Sequence, residues 1–366
     1  MEPLITIFRE VRDPRDLNSR HDLAAMLFMA LAATLCGAKS CVEIADFAAA
    51  NEDFLSGIVE LRHGVPSHDS FSRVFRLLDP DEMAGVFARF RDAMRAALGL
   101  EAVKGVVAVD GKSLRRAYER GRAFMPPLMV SVWDAETRLS LAARHAPGGD
   151  EIAATLAALK AVVLKGCTVT ADALHCHPAM AEAVRERGGH YVLKLKANHG
   201  PLFACVEKAF ADADAAGAPA FYEQSESGHG RRERRRASVI PIPSLAPAFP
   251  GLVAFGRIES ERTVNDKTAV RVHYAALSKV LNPRRFLEIA RTHWSVENQL
   301  HWPLDVVFHE DDARTRKNYA PQNLALLRRM ALDILRANPD TKSIARKMNL
   351  AAWRKEFFFE LFAHMR

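Results

Sequence analysis

Val106-Val107-Ala108-Val109-Asp110-Gly111-Lys112-Ser113-Leu114-Arg115 decides how this chain is read, because a wholly apolar run ends there on a single carboxylate. A short β-branched run bounded by Gly105 and Gly111 predicts a buried central strand, with Asp110 at its C-terminal end. A desolvated, unpaired aspartate would cost several kcal/mol, so Asp110 must be solvated, hydrogen-bonded or metal-bound. Gly111 lets the chain turn sharply away and leaves the carboxylate at an open rim.

Cys167-Thr168-Val169-Thr170-Ala171-Asp172 repeats the construction, a β-favouring run ending on an aspartate. A third carboxylate, Glu297, lies in the segment from Arg291 to Trp302, whose apolar and aromatic residues at three- and four-residue spacing predict a helix. Two strand-end aspartates and a helix-borne glutamate make an all-oxygen site suited to Mg²⁺ or Mn²⁺ rather than zinc. Such sites perform phosphoryl transfer with two metals roughly 3.5–4 Å apart, which points to chemistry on a phosphodiester. Strand-end aspartates are also ordinary turn formers, and the acidic run Glu310-Asp311-Asp312 offers another third ligand. Glu297 is preferred because Trp294, Val296 and Leu300 can fix its helix against a core. His175-Cys176-His177, a single clustered tripeptide, cannot easily supply the tetrahedral geometry of a zinc site.

The flanking motifs add a resemblance. Asp110-Gly111-Lys112-Ser113-Leu114-Arg115, Thr170-Ala171-Asp172-Ala173, Lys194-Leu195-Lys196-Ala197-Asn198, Gly228-His229-Gly230-Arg231-Arg232-Glu233 and His293-Trp294-Ser295-Val296-Glu297-Asn298, followed by His301-Trp302, occur in that order. Together they resemble the H-repeat-associated family of bacterial insertion-sequence DDE transposases, over nearly the whole chain. The resemblance implies an RNase H-like catalytic core with Asp110, Asp172 and Glu297 as catalytic and metal-binding triad. It also implies Mg²⁺ or Mn²⁺ as cofactor, and double-stranded DNA, both terminal repeats and target, as partner. A homodimer or higher assembly on DNA is expected by the same analogy. The chain departs from the family where His177 and His199 replace frequent glutamines. It departs from the wider superfamily where His293 replaces an arginine and Leu304 a basic residue. Candidate phosphate or DNA contacts are Lys112, Arg115, Lys194, Lys196, Asn198, Arg231, Arg232, Arg235, His293, Asn298 and His301. The implied activity is cleavage at transposon ends and strand transfer. A host-adopted nuclease of the same fold and a silent DNA-binding descendant are the alternatives.

Length and composition agree with a two-part α/β protein. Of 366 residues, 49% are hydrophobic and 26% charged, and a net charge of +7 with a pI near 9.2 leans towards a polyanionic partner. Five cysteines without Cys-x-x-Cys spacing, and no basic leader after Met1, suit a reducing cytoplasm and argue against a secreted disulfide scaffold. Leu23 to Ala38 is apolar almost throughout but shorter than the roughly 20 residues a bilayer needs. With Asp22 to cap it and Gly37 to end it, a buried helix is expected, and no membrane partner.

Residues 1–100 are expected to form a helical N-terminal domain, with Arg73, Arg76, Arg89, Arg91 and Arg95 on its last two helices either facing DNA or lying solvated. Residues 101–366 are expected to form the catalytic domain, ordered strand, strand, strand, helix, strand, helix, strand, with the first and fourth strands adjacent. A β-rich insertion is placed at about 199–283, where strands are expected over 220–225, 231–241, 252–261 and 268–277. Its arginines at 231, 232, 234, 235 and 236 are the densest basic cluster in the chain. An amphipathic helix over 323–337 and an aromatic-rich closing helix over 353–362 end the reading.

Overall fold

The computed structural model describes residues 1–15, 19–100, 102–118, 126–228, 230–244 and 246–363; His229 of the basic motif lies outside them. The chain opens with α1 (Glu2–Arg9), α2 (Leu23–Leu35), α3 (Cys41–Ala50), α4 (Glu52–Ser56), α5 (His68–Leu77) and α6 (Pro80–Ala97). Their starts are set by side-chain caps. Asp22 accepts from Ala25 N at 2.8 Å, Ser40 from Glu43 N, Ser67 from Ser70 N and Asp79 from Asp81 N, with Pro80 in the first turn of α6. All thirteen residues of α2 are buried, as its continuous apolar sequence requires. Among the described residues, no helix is long and apolar enough to cross a membrane.

The α/β part runs β1 (Gly105–Ser113), β2 (Leu128–Asp134), β3 (Leu139–Ala146), α7 (Glu151–Lys160), β4 (Cys167–Ala171), α8 (Pro178–Glu186) and β5 (His190–Leu195). Next come α9 (Gly200–Ala215), β6 (Phe221–Gly228), β7 (Arg231–Pro241), β8 (Ala254–Val264) and β9 (Lys267–Leu277). It closes with α10 (Pro283–His293), α11 (Trp302–Val306), α12 (Ala320–Ala337), α13 (Ile344–Trp353) and α14 (Lys355–Glu360). One nine-stranded sheet has the order β3-β2-β1-β4-β5-β9-β8-β7-β6. β1, β4 and β5 are parallel neighbours and the other pairs antiparallel. This is the RNase H-like mixed-sheet core with a β-rich insertion, preceded by a helical N-terminal region.

Alternation along β1 divides the packing. Val107 and Val109 face α7, α8 and α9 in one apolar core, with Leu159, Val184 and Phe210. Ala108 faces the other way, into a core shared by α1–α6, α12, α13 and α14 together with Met129, Trp133, Val296 and Leu300.

Two local expectations are corrected. The insertion begins with a helix, α9, whose Leu202, Val206 and Phe210 at four-residue spacing carry the signal. Its strands continue the core sheet, because β9 pairs with β5 from Val192↔Leu277 to Leu195↔Tyr274 and satisfies what would be an open edge. At the C-terminus an additional helix, α13, precedes the aromatic α14, which starts at Lys355 and not at Trp353. Ser343 caps α13 by accepting from Arg346 N at 3.3 Å.

Candidate active site

Parallel pairing of β1 with β4 ends at Val109↔Ala171, which brings Asp110 and Asp172 side by side. Asp172 follows the last residue of β4, whereas Asp110 lies within β1, paired with Ser131 of β2, and the strand runs on through Gly111 to Ser113 without the turn expected there. The helical segment expected over 291–302 is interrupted. α10 stops at His293, and Glu297–His301 form a wider π turn in which Trp302 N donates to Glu297 O, five residues back. Pro303, with no N–H, cannot supply the next α-type bond. The wide turn brings Glu297 and His301 to one side, as π bulges at functional sites often do.

His301 Nδ1 lies 3.5 Å from Asp110 Oδ2 and 3.4 Å from Glu297 Oε2. One ligand atom from each of the three residues lies within 4.8 Å of the others. His301 is only 5% exposed, and among the described residues its Nε2 has no hydrogen-bond partner. Asp172 stands outside this tight group, its carboxylate held by Lys194 Nζ at 3.2 Å and Lys196 Nζ at 3.9 Å.

Electrostatics separate the carboxyls. Burial pushes Asp110 up to about 6, with neighbouring Glu297 adding to the rise and His301 opposing it. The hydrogen bond from His301 holds Glu297 below the usual glutamate range despite burial. Burial would raise Asp172 too, but the two lysines carry it below the ordinary aspartate value. Burial pushes His293 down to about 4, so it is a neutral hydrogen-bonding group whose Nδ1 meets Thr170 Oγ1 at 3.1 Å.

The residues marked as phosphate contacts divide into two sets. Lys112 is 7% exposed, and its ammonium is committed to Asp305 at 2.7 Å and Asp311 at 2.6 Å, so it braces the segment after the π turn from beneath instead of reaching outwards. Alternation along β1 turns Lys112 to the same face as Asp110. Arg115 is exposed and reaches Asp311 at 3.2 Å. Glu310, weighed as a third ligand, is sealed in a fully buried pair with Arg329 at 3.0 Å. Asp305 and Arg329 carried no signal in the sequence, and Asp311 was legible only as a possible ligand. His301, four residues after Glu297, was legible as a group able to meet phosphate or position a carboxylate, and it lies beside Glu297.

Beside the carboxylates opens a cleft of about 650 Å³ between the β7–β9 face and α10. Lys194, Arg231, Arg235, Arg262, Arg271, Trp294 and Asn298 line it. Arg235 is tied to Glu226 at 3.0 Å and to Glu233, while Arg232 and Asn198 are exposed outside the lining. Lys194 Nζ stands 5.7 Å from the centre of the exposed Trp294 ring. The cleft is lined mainly by basic groups, with Glu233 among them, and it includes Ala171 and Asn298, the sequence neighbours of Asp172 and Glu297.

Comparison with known proteins agrees with this arrangement. Residues 101–334 match the family described as Transposase DDE domain, and residues 5–91 the family described as DDE_Tnp_1-associated. The chain is 30% identical over 362 residues to "H repeat-associated putative transposase YhhI" of Escherichia coli (strain K12), covering 94% of this chain and 93% of that one. It is 35% identical over 269 residues to "Uncharacterized protein in dhlA 3'region" of Xanthobacter autotrophicus, covering 72% and 90%. Among solved structures, a piggyBac transposase synaptic complex with hairpin DNA aligns with a TM-score of 0.45 and 13% identity, over 100% of this chain and 77% of that one. The match across most of the chain, over the segments that assemble the carboxylate site, identifies this protein as a member of the DDE-domain transposase family.

Proposed function

We propose that this insertion-sequence transposase cuts phosphodiester bonds at the ends of its element and joins the freed 3′-hydroxyl to target DNA. The observation that carries the reading is the convergence of Asp110, Glu297 and His301 beside Asp172 at the end of an arginine-lined cleft. Family membership implies dependence on a divalent metal. The donor set fits one, since a ligand atom from each of three residues lies within 4.8 Å of the others. Asp110, Glu297 and His301 would hold it, with Asp172 as the remaining carboxylate. The carboxylates suit Mg²⁺ and Mn²⁺, whereas the imidazole is a softer donor than Mg²⁺ favours. Divalent metal held there would supply activation of the attacking oxygen and stabilisation of the leaving one, roles that two-metal sites divide between their ions.

The protein's own groups do the rest. Lys194 and Lys196 keep Asp172 ionised. Lys112 fixes Asp305 and Asp311, and so anchors the chain that follows Glu297. Arginines of the cleft neutralise backbone phosphates, which makes binding fall with salt. In this reading residues 1–100 help to hold DNA ends, residues 101–366 carry the chemistry, and a homodimer or higher assembly brings two ends together.

The test is cleavage and strand transfer, in Mg²⁺ and in Mn²⁺, on DNA carrying the element's ends, by wild type, Asp110→Ala and Glu297→Ala. Both variants are expected to lose more than the roughly hundredfold that removing an outer-shell partner costs, while keeping end binding. Cutting that survives in both would remove the carboxylates from the mechanism. Cutting without joining by wild type would make the protein a nuclease.

A further inference from the structure

On the sheet face opposite Asp110, α7 reaches both β1 and the turn at the end of β4. Glu151, in the first turn of α7, places its carboxylate against Gly111, the residue after Asp110, so closely that a Cβ there would collide with it. The same carboxylate meets His175 Nε2 at 3.0 Å. One helical turn on, Thr155 Oγ1 lies 3.4 Å from His175 Nδ1. His175 is 2% exposed, and its backbone N–H donates to Asp172 O at 3.0 Å, closing the turn that follows Asp172. Both nitrogens of one buried imidazole are therefore engaged by a single helix, and that helix also abuts the residue after Asp110.

Burying a carboxylate beside an imidazole costs desolvation that a pair of packed leucines would avoid. What the polar pair adds is direction, because its hydrogen bonds hold only at one separation and orientation. We propose that Glu151 and His175 are positioning residues that staple β1, beside Asp110, to the end of β4 at Asp172, at the spacing their shared chemistry needs. The proposal rests on the function proposed above. It also explains Gly111, since any larger residue there displaces Glu151 and releases His175.

The experiment is a double-mutant cycle on the full chain, using Glu151→Ala, Glu151→Gln, Gly111→Ala and Gly111→Ala/Glu151→Ala. Three readouts are taken: Mn²⁺ affinity by electron paramagnetic resonance, melting temperature, and kcat and KM for cleavage of end DNA. Glu151→Ala is expected to weaken Mn²⁺ binding and kcat by about ten- to a hundredfold, the range for loss of an outer-shell partner, with KM unchanged. Glu151→Gln, which keeps an oxygen for His175 Nε2–H, is expected to stay close to wild type. Gly111→Ala should match Glu151→Ala, and the double variant should be no worse than either single, because both break one interaction. Should Glu151→Ala fail to fold, Gly111→Ala against Glu151→Gln makes the same comparison without emptying the site. Wild-type Mn²⁺ affinity and kcat in Glu151→Ala or Gly111→Ala, or losses that simply add in the double variant, would overturn the staple and leave the proposed function standing. A wild type that neither takes up Mn²⁺ nor cuts DNA would bring down that function and the staple with it.

Discussion

Strands β3, β2, β1, β4 and β5 are largely buried on both faces, whereas β6 to β9 carry exposed charge along their outer halves, although all nine belong to one hydrogen-bonded sheet. Val107, Ala108 and Val109 have no exposed surface, while Val270 and Val272 of β9 are 65% and 45% exposed. The backbone ladder is the same in both halves. The difference lies in what covers the side chains: helices on both faces of the inner strands, as parallel strands require, and chiefly α10 against the ribbon. The pairs there are ionic, Arg234 with Glu223 at 2.8 Å along the sheet and Arg291 of α10 with Glu226 at 2.6 Å. Surface pairs of this kind are screened by solvent and contribute little, so the ribbon is held by its ladder and its inner end. At that end Ala237, Ala254 and Leu277 pack with Phe286 of α10. The inner half fixes carboxylates; the outer half presents guanidinium groups.

The sharpest way to break this contrast is at the join. A Cβ on Gly256 would run into the Phe286 ring, so Gly256→Val should overpack the anchor and cost about 1–3 kcal/mol or more, read as a fall in melting temperature. Partial recovery in Gly256→Val/Phe286→Leu would place the strain between these two residues. No loss in the single variant would mean that the ribbon is not anchored here.

A smaller effect distinguishes the inner half by pH. Asp333 of α12 is buried, with Ser140 N at 3.3 Å, and burial pushes its carboxyl up to about 7. A folded-state value above the unfolded one means that protonation favours the fold. Asp333 therefore supports stability fully below about 4, its unfolded range, and that support is lost as pH rises towards 7. Asp333→Asn, indifferent to pH, should melt progressively higher than wild type between pH 4 and 7 and hold that advantage above it. Parallel melting curves would place the acidity elsewhere.

The smallest effect on stability, and the one that sharpens the comparison most, belongs to the outer half. Arg231, Arg262 and Arg271 line the cleft from the ribbon. Changing all three to glutamine should barely move the melting temperature but weaken duplex binding, lowering the salt dependence by about one unit for each phosphate no longer neutralised. Unchanged DNA affinity in a gel-shift titration would make these arginines a solvated face.

Much of this was legible in the sequence. The strands leading to Asp110 and Asp172, the basic strand from Arg231, and α2 with its Asp22 cap all depend on local patterning over a few residues, although β1 runs on past Asp110 to Ser113 where the sequence suggested an end. The α9 helix was missed although Leu202, Val206 and Phe210 spelled it out, because its polar surroundings suggested strands instead. The grouping of His301 with Asp110 and Glu297 was not legible, nor was the commitment of Lys112 to Asp305 and Asp311, 199 residues away in the latter case.

By itself, then, the sequence determined which segments become strands and helices, where the carboxylates lie along them, and where positive charge collects, since alternation, capping and composition act over short stretches. Only the tertiary structure decided which charges face one another and which are buried. Strand register puts Asp110 beside Asp172, the π turn swings His301 towards Glu297, and α7 reaches both β1 and the turn at the end of β4. These are relations between distant parts of the chain, fixed by packing and by the cost of leaving a buried polar group without a partner.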